Sequence, residues 1–309
     1  MAAVEIRPFS DEYLDGAAAL LAERHAAHRL IEPLLPAIDD FRAQIQAEWD
    51  ADGAGGAVAL EHGDVVGYLV GRRRDDAIGP FIWTHVAGHA TREPEHARDL
   101  YAVAADRWVE EGVTRHFVFV PATREVVEPW FRLSFGASAA LAMRETGPEH
   151  APDSRVTVRL STPADLEPVA VLDRMLYGHL QLPPSFSGLP LPEPAEFIDD
   201  WHNLWEEKEH THFVAEQDER IVGHALLYRR PADLRVPANS IDLADCLTEP
   251  GFRGSGVGLA LTAHVLTWAH ENGYPTMTTD WRMTNLLASR YWPRRGFRET
   301  FLRLYRSIP

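Results

Sequence analysis

IDLADCLTEPGFRGSGVGLALTAHVLTWAHENGY, residues 241–274, is the stretch on which the reading of this chain turns. The alternating apolar residues of IDLADCL predict a strand, and EPGFRGSGVG is a turn crowded with glycine. LALTAHVLTWAHENG then has the apolar spacing of a helix that starts directly at the turn and closes at Gly273. Glycines at 254, 256 and 258 let the backbone approach a ligand closely. The partnerless amides of the first helical turn add to the helix dipole, so this point favours a phosphate, and Arg253 supplies a charged donor. Arg253, Gly254, Ser255, Gly256, Val257 and Gly258 are therefore the candidate anion-binding residues. Their spacing is not GxGxxG, no GKS or GKT is present, and the segment falls late in its half of the chain. These three facts set aside the dinucleotide and P-loop readings.

Outward from this stretch, the chain repeats itself. VEIRPFSDEYLDGAAALLAE near Val4 and RVTVRLSTPADLEPVAVLDRML near Val156 both read as a strand followed by a helix. ALEHGDVVGYLVGRR around Gly67 matches VAEQDERIVGHALLYRR around Gly223 as strand, turn, strand. A long helix carries Trp108 in one half and Trp268 in the other, followed by an apolar strand and a short helix ending near Gly136 or Gly296. The offset is 160 positions for the tryptophans and for Gly136 and Gly296, and 156 for Gly67 and Gly223, which predicts a duplicated domain with a small indel. The boundary is expected in TGPEHAPDS, residues 146–154, giving domains 1–148 and 153–309. Each half should form a mixed sheet with helices on its faces.

The 309 residues are 45% hydrophobic, which suits two soluble globular domains. Cys246 is the single cysteine, so no intramolecular disulfide framework exists. No apolar run reaches about 18 residues and no basic leader precedes an apolar one, which leads to the expectation of a cytoplasmic protein without a membrane partner. A net charge of -16 argues against nucleic acid and suits a small cationic amine, although an acidic surface also serves solubility alone. A homodimer is compatible with the sequence.

The glycine turn with Arg-x-x-Gly-x-Gly, and the later NLLASRYWPRRGF at residues 285–297, resemble the motifs of the GNAT acetyltransferase superfamily. The resemblance implies an α+β, three-layer αβα fold in two tandem domains, with acetyl-CoA bound, CoA released, and an amine acetylated by direct attack. It implies that strands around Leu247 and Thr279 splay apart, that the cofactor's arm bonds to backbone near Leu247 and Thr248, and that Asn285 and Tyr291 lie along the cofactor. The two-lobed layout also resembles mycothiol synthases, so an amino-sugar acetyltransferase is one alternative and a non-catalytic acyl-CoA-binding regulator is another. With the tryptophans aligned, Glu93, His96 and Arg98 stand opposite Arg253, Gly256 and Gly258, which predicts a degenerate N-terminal domain without CoA.

Some members of the family carry a base at the position of Asp242, and strand alternation puts that residue on one face with Ala244 and Cys246, leaving Asp245 on the other. Glu249 is the neighbouring alternative. The family's usual acid, a tyrosine four residues before the glycine of Gly-Phe, is replaced here by Trp292, which leaves the adjacent Tyr291 as the candidate. Cys246 reads as a packed strand cysteine rather than a nucleophile. His85, His89 and His96, and His202, His210 and His212, lack metal-ligand spacing, and Arg72, Arg73 and Arg74 read as a solvated strand end. The Pro-rich stretch at 182–194, with Tyr177, Phe186, Phe197, Trp201 and Trp205, is a candidate wall for the acceptor amine.

Overall fold

The computed structural model describes residues 4–151, 155–187, 190–206 and 210–309. Residues 152–154 of the expected boundary, and Gly188 and Leu189 of the Pro-rich stretch, lie outside the described residues. The chain divides into two compact units. Unit 1 comprises Met1–Leu141, Asp233–Arg235 and Glu299–Pro309, and unit 2 comprises Ala142–Ala232 and Val236–Arg298. Among the described residues no helix is long and apolar enough to cross a membrane.

Unit 1 runs β1 (Glu5–Pro8), α1 (Leu14–Ile31), α2 (Phe41–Trp49), β2 (Ala54–Glu61), β3 (Asp64–Asp76), β4 (Gly79–Thr84), β5 (His89–Thr91), α3 (His96–Glu110), β6 (Arg115–Pro121) and α4 (Arg124–Arg132). Strand β7 (Gly136–Glu145) gives its first residues to unit 1. Unit 2 runs β8 (Thr157–Leu160), α5 (Leu166–Gln181), α6 (Pro194–Glu206), β9 (His210–Gln217), β10 (Arg220–Tyr228), β11 (Ser240–Thr248), α7 (Val257–Glu271), β12 (Thr276–Arg282) and α8 (Leu286–Tyr291). The last strand, β13 (Arg298–Ser307), pairs antiparallel with β6 from Phe301 to Ser307 and so completes unit 1. On its other side, Ser138 donates a hydrogen bond to the carbonyl of Arg303, and Thr300 donates one to that of Leu141.

The repeat is a structural one. In unit 1, β1, β2, β3 and β4 pair antiparallel in turn and β4 pairs parallel with β6; in unit 2, β8, β9, β10 and β11 do the same and β11 pairs parallel with β12. Both central hairpins carry a bulge next to the matched glycine, between Ala59 and Leu60 in one unit and between Ile221 and Gly223 in the other. A side chain at Gly67 would meet Leu100 of α3, and one at Gly223 would meet Leu261 of α7 and the carbonyl of Leu247. These glycines therefore let each sheet dock its long helix. The fold is mixed α+β in tandem, as the repeat and the resemblance imply.

The helix frame shifts the alignment of the two halves. Gly112 and Gly273 end their helices with φ of 78° and 80°, and Glu95 and Gly256 stand at the N-caps, an offset of 161. Glu93 is thus opposite Gly254, Glu95 opposite Gly256 and Ala97 opposite Gly258, one step from the match made through the tryptophans. Further on, Phe297 and Phe135 bond back to the carbonyls of Trp292 and Trp130. The left-handed residue before each is Gly296 or Ser134, so Ser134 rather than Gly136 is the partner of Gly296.

Candidate active site

The glycine turn of unit 2 adopts the geometry its residues allow. Gly254 and Gly256 have φ of 83° and 97°, in the left-handed region that a side chain strains. Gly256 caps α7, and the amides of its first turn have no acceptor within the helix. A side chain at Gly258 would reach ordinary contact with the hydroxyls of Tyr291, at 3.4 Å, and Thr248, at 3.6 Å, and so take up part of the cleft. Ser255 turns its hydroxyl back to the carbonyl of Phe252 at 2.7 Å, and Val257 is buried beneath the helix, so these two candidates shape the turn without lining the cleft. The cleft itself, about 430 Å³, is lined by Leu247, Thr248, Arg253, Gly254, Gly256, Gly258, Asn285 and Tyr291 together with Leu176, His179 and Cys246.

Its opening follows from strand pairing. β11 and β12 pair only from Ser240 with Thr276 to Leu243 with Thr279. Beyond that point Asp245 to Thr248 stay bonded to β10 alone. The other edge of Cys246–Thr248 thus presents peptide groups to the cleft, where an extended ligand with amides of its own can take a strand's place. Asn285 caps α8 by accepting from the amides of Leu287 and Ala288, and its oxygen lies 3.4 Å from His179 Nε2.

A splayed parallel pair with a glycine-capped helix beside it accords with the sequence comparison. Residues 176–297 match the acetyltransferase (GNAT) family model. They form a GNAT acetyltransferase domain. Over 98% of its length the chain is similar in fold to 95% of a GCN5-related N-acetyltransferase from Sphaerobacter thermophilus, at 12% identity and a TM-score of 0.63. A tandem GNAT protein from the clavulanic acid biosynthesis pathway superposes with a TM-score of 0.52 at 13% identity, over 99% of this chain and 98% of that one. A glucosamine N-acetyltransferase region of a fungal multi-domain β-N-acetylglucosaminidase gives 0.59 at 14% identity, over 99% of this chain and 38% of that one. No curated protein sequence matches the chain.

Within the GNAT domain the acid and base candidates sort differently from the strand alternation read in the sequence. Asp242 is buried at the paired end of β11, where one oxygen accepts from Arg230 at 2.7 Å and the other from Thr278 at 2.6 Å. Burial raises its carboxyl against these partners, and both of its oxygens are already engaged; like Asp245 and Asp173, it lies off the lining of the glycine-capped cleft. A bulge intervenes: Leu227 faces Leu243 and Leu226 faces Asp245, leaving Ala244 as the extra residue. One inserted residue reverses the alternation, so Asp245 shares the face of Asp242 and Cys246 takes the opposite one. That face is the one packed by α5 and α6, because Leu226, directly across from Asp245, lies in their apolar cluster with Phe197 and Trp201.

The charge of Asp173, on α5, acts on Asp245 there. Asp173 continues the buried stripe Leu166, Val169, Ala170 of α5; its Oδ2 accepts from Trp201 Nε1 at 3.3 Å, and its Oδ1 has no hydrogen-bond partner. Both carboxyls are held above the usual carboxylate range. Burial is the main cause for each, and Asp173, Asp280 and Asp242 add their charge against Asp245 while Arg230 offsets it. Carboxyls raised in this way can exchange a proton near neutral pH, and neither was a candidate from sequence.

The remaining candidates take other places. Thr262 donates its only hydroxyl proton to the carbonyl of Gly258, so Tyr291 donates to Thr262 at 2.8 Å. Burial, and Cys246 beside it, push the Tyr291 phenol up to about 12. Trp292 is buried edge-on against Tyr291 and Phe297. Cys246 is half-buried and lines the cleft, its thiol pushed up to about 12 by burial and then by Asp245, which keeps it protonated and a poor nucleophile. Glu249 pairs with Arg220 at 3.1 Å. His212 and His224 bond to each other at 3.1 Å beneath Trp201. Of the aromatic wall, Tyr177 stacks edge-on to Phe197 and Trp205 packs on His210, while Phe186 is exposed.

Proposed function

We propose that unit 2 acetylates the primary amine of a small molecule, using acetyl-CoA, by direct attack in a ternary complex. The observation that carries this reading is the conjunction of the open edge at Cys246–Thr248 and the glycine-capped start of α7 with the raised carboxyls of Asp245 and Asp173 on the same strand and its covering helix. The cradle fits the cofactor. Arg253 and the first-turn amides of α7 would hold its pyrophosphate, and the free peptide groups of Leu247 and Thr248 would take its amide-bearing arm. Acetyl-CoA, when bound, would supply the acetyl group as a thioester: the C–N bond forms, the C–S bond breaks, and CoA leaves as the thiol with the second proton that the acylated nitrogen sheds. Asp245 accepts the proton that the amine must lose, with Asp173 sharing the charge. Tyr291, its proton engaged by Thr262, positions the cleft wall and holds Gly258 close.

Unit 1 is read as a domain that takes no cofactor. Where unit 2 has its cleft, unit 1 has a cavity of about 50 Å³, room for little more than water. Arg24, at the position of α1 that corresponds to Leu176 counted from the helix start, donates to the carbonyls of Val86 and His89. His89 bonds to the carbonyl of Phe119 on β6 at 2.8 Å, and Trp130 fills the rest.

Calorimetric titration with acetyl-CoA, followed by acetyl transfer to a panel of amines, tests both parts. One site per chain and turnover that Asp245→Asn abolishes are the expected results. Two sites would sink the reading of unit 1, and no binding to folded protein would sink that of unit 2.

A further inference from the structure

The face of β11 that carries Asp245 holds more negative charge than the removal of one proton requires. Asp173, Asp242 and Asp280 act together on Asp245, on the face of β11 that α5 and α6 pack, and Tyr177 feels Asp173, Asp245 and Asp200 together. Arg230 is engaged by Asp242, and Arg282 also acts here. Among the described residues, Asp173, Asp200, Asp245 and Asp280 outnumber these cations. An independent mark points to an incoming donor: Asp173 is 8% exposed, yet its Oδ1 has no hydrogen-bond partner. A buried acceptor left bare costs stability that a ligand's N–H restores. The rim is of the kind that cations favour, with the ring of Tyr177 edge-on to Phe197 at 5.1 Å and Asp280 and Asp200 exposed.

We infer that the acceptor is a dicationic amine, in which one nitrogen reacts beside Asp245 and Asp173 while a second ammonium remains charged against Asp280 and Asp200. The inference rests on the acetyltransferase reading above and adds the substrate class. Its physical basis is charge balance through the step. The proton that the reacting nitrogen gives up neutralises Asp245 and does nothing for Asp280 and Asp200; a second ammonium compensates those two before and after the transfer. The reacting nitrogen follows the transfer already described, and the second nitrogen makes and breaks no bond.

Initial rates of acetyl transfer to diaminoalkanes of three to six carbons, set against 1-aminoalkanes of matched length, test the inference. They should be measured on the full chain with Asp280→Asn and Asp200→Asn alongside. The best diamine should exceed its monoamine in kcat/KM by at least about 100-fold, the penalty a polar site imposes on an analogue that lacks the matching group. Asp280→Asn should cut that ratio by about 10-fold and Asp200→Asn by less, in variants whose melting confirms that they fold. Equal rates for the two classes overturn the dication assignment and leave the acetyltransferase intact. A preference untouched by both substitutions overturns the assignment to this rim. Acetyl-CoA binding without turnover of any of these amines overturns the substrate class alone, whereas failure to bind acetyl-CoA removes the acetyltransferase reading as well.

Discussion

In unit 2 the gap beyond Leu243 and Thr279 is bordered by Leu176, Cys246 and Thr248, whereas in unit 1 the matching gap beyond Thr84 and Val118 is crossed by Arg24 and His89. The two sheets splay alike because the same strand order and the same parallel pair build both. What differs is the treatment of the peptide groups that the splay exposes. Unit 1 satisfies them from within, by a buried guanidinium and an imidazole, and β4 breaks into the turn Val86–Gly88 before β5. Unit 2 continues β11 through a bulge and leaves its edge for a ligand. The helix starts diverge in the same sense, with Glu95 at the N-cap of α3 where α7 has Gly256 in the left-handed region. One strand order can thus carry an open edge in one unit and a filled one in the other through a handful of polar residues.

The sharpest way to break this comparison is at Asp245, which has no counterpart in the turn of unit 1. Asp245→Asn should lower kcat by about 10²–10⁴. Acetyl-CoA affinity should be unchanged by calorimetry. A carboxyl raised in the folded state weakens the fold as it ionises, so this variant should also melt a few degrees higher than the native chain at pH 8. A drop in melting temperature there would contradict the assigned environment.

Gly256→Glu carries the character of Glu95 into unit 2. It forces a side chain into φ of 97° and sets negative charge at the helix start, and should weaken acetyl-CoA binding by at least about 100-fold. Unchanged affinity in the folded variant would show that the turn is not the pyrophosphate site.

The pH profile of kcat reads the carboxyl pair directly. Burial and the charges of Asp173, Asp280 and Asp242 push Asp245 up to about 7, while Arg230 opposes them and Tyr177 faces the same space. The active form has lost that proton, so kcat should rise with pH through a midpoint near 7 and level off only above about 8. Asp173→Asn should move the rise to lower pH.

Smaller effects sharpen the contrast from the other side. Arg24→Leu leaves the carbonyls of Val86 and His89 without their buried donor and should cost about 2 kcal/mol by denaturant titration, with the CoA stoichiometry still one. Tyr291→Phe removes the bond to Thr262 and should cost about 1 kcal/mol of stability. Its effect on kcat should stay under about 10-fold, since that hydroxyl's proton points away from the reaction.

The glycine turn and the repeat were legible because their signals are local. A glycine before an apolar helix has few uses, and Trp108 and Trp268 mark the same helix twice. Asp245 was hidden because a bulge is a property of two strands: nothing in LADCL announces that Ala244 will have no partner on β10. Asp173 left a trace, a carboxylate at the next position of the apolar stripe Leu166, Val169, Ala170, and a search for acids at buried helical positions would have found it. The one-step error in aligning the halves came from trusting tryptophans that sit at different positions in their helices, where the left-handed Gly112 and Gly273 were the sounder landmarks.

The pairing of β13 with β6 bears on how the molecule is made. Val120 waits for Leu302, read by the ribosome roughly 180 residues later, so the ring of tertiary bonds around unit 1 closes across the whole of unit 2's coding length. The segment synthesised first is therefore the one whose sheet is finished last. A nascent chain stalled after α8 would expose β6 as a bare sheet edge, and a chaperone that shields such edges would find its client in the N-terminal half.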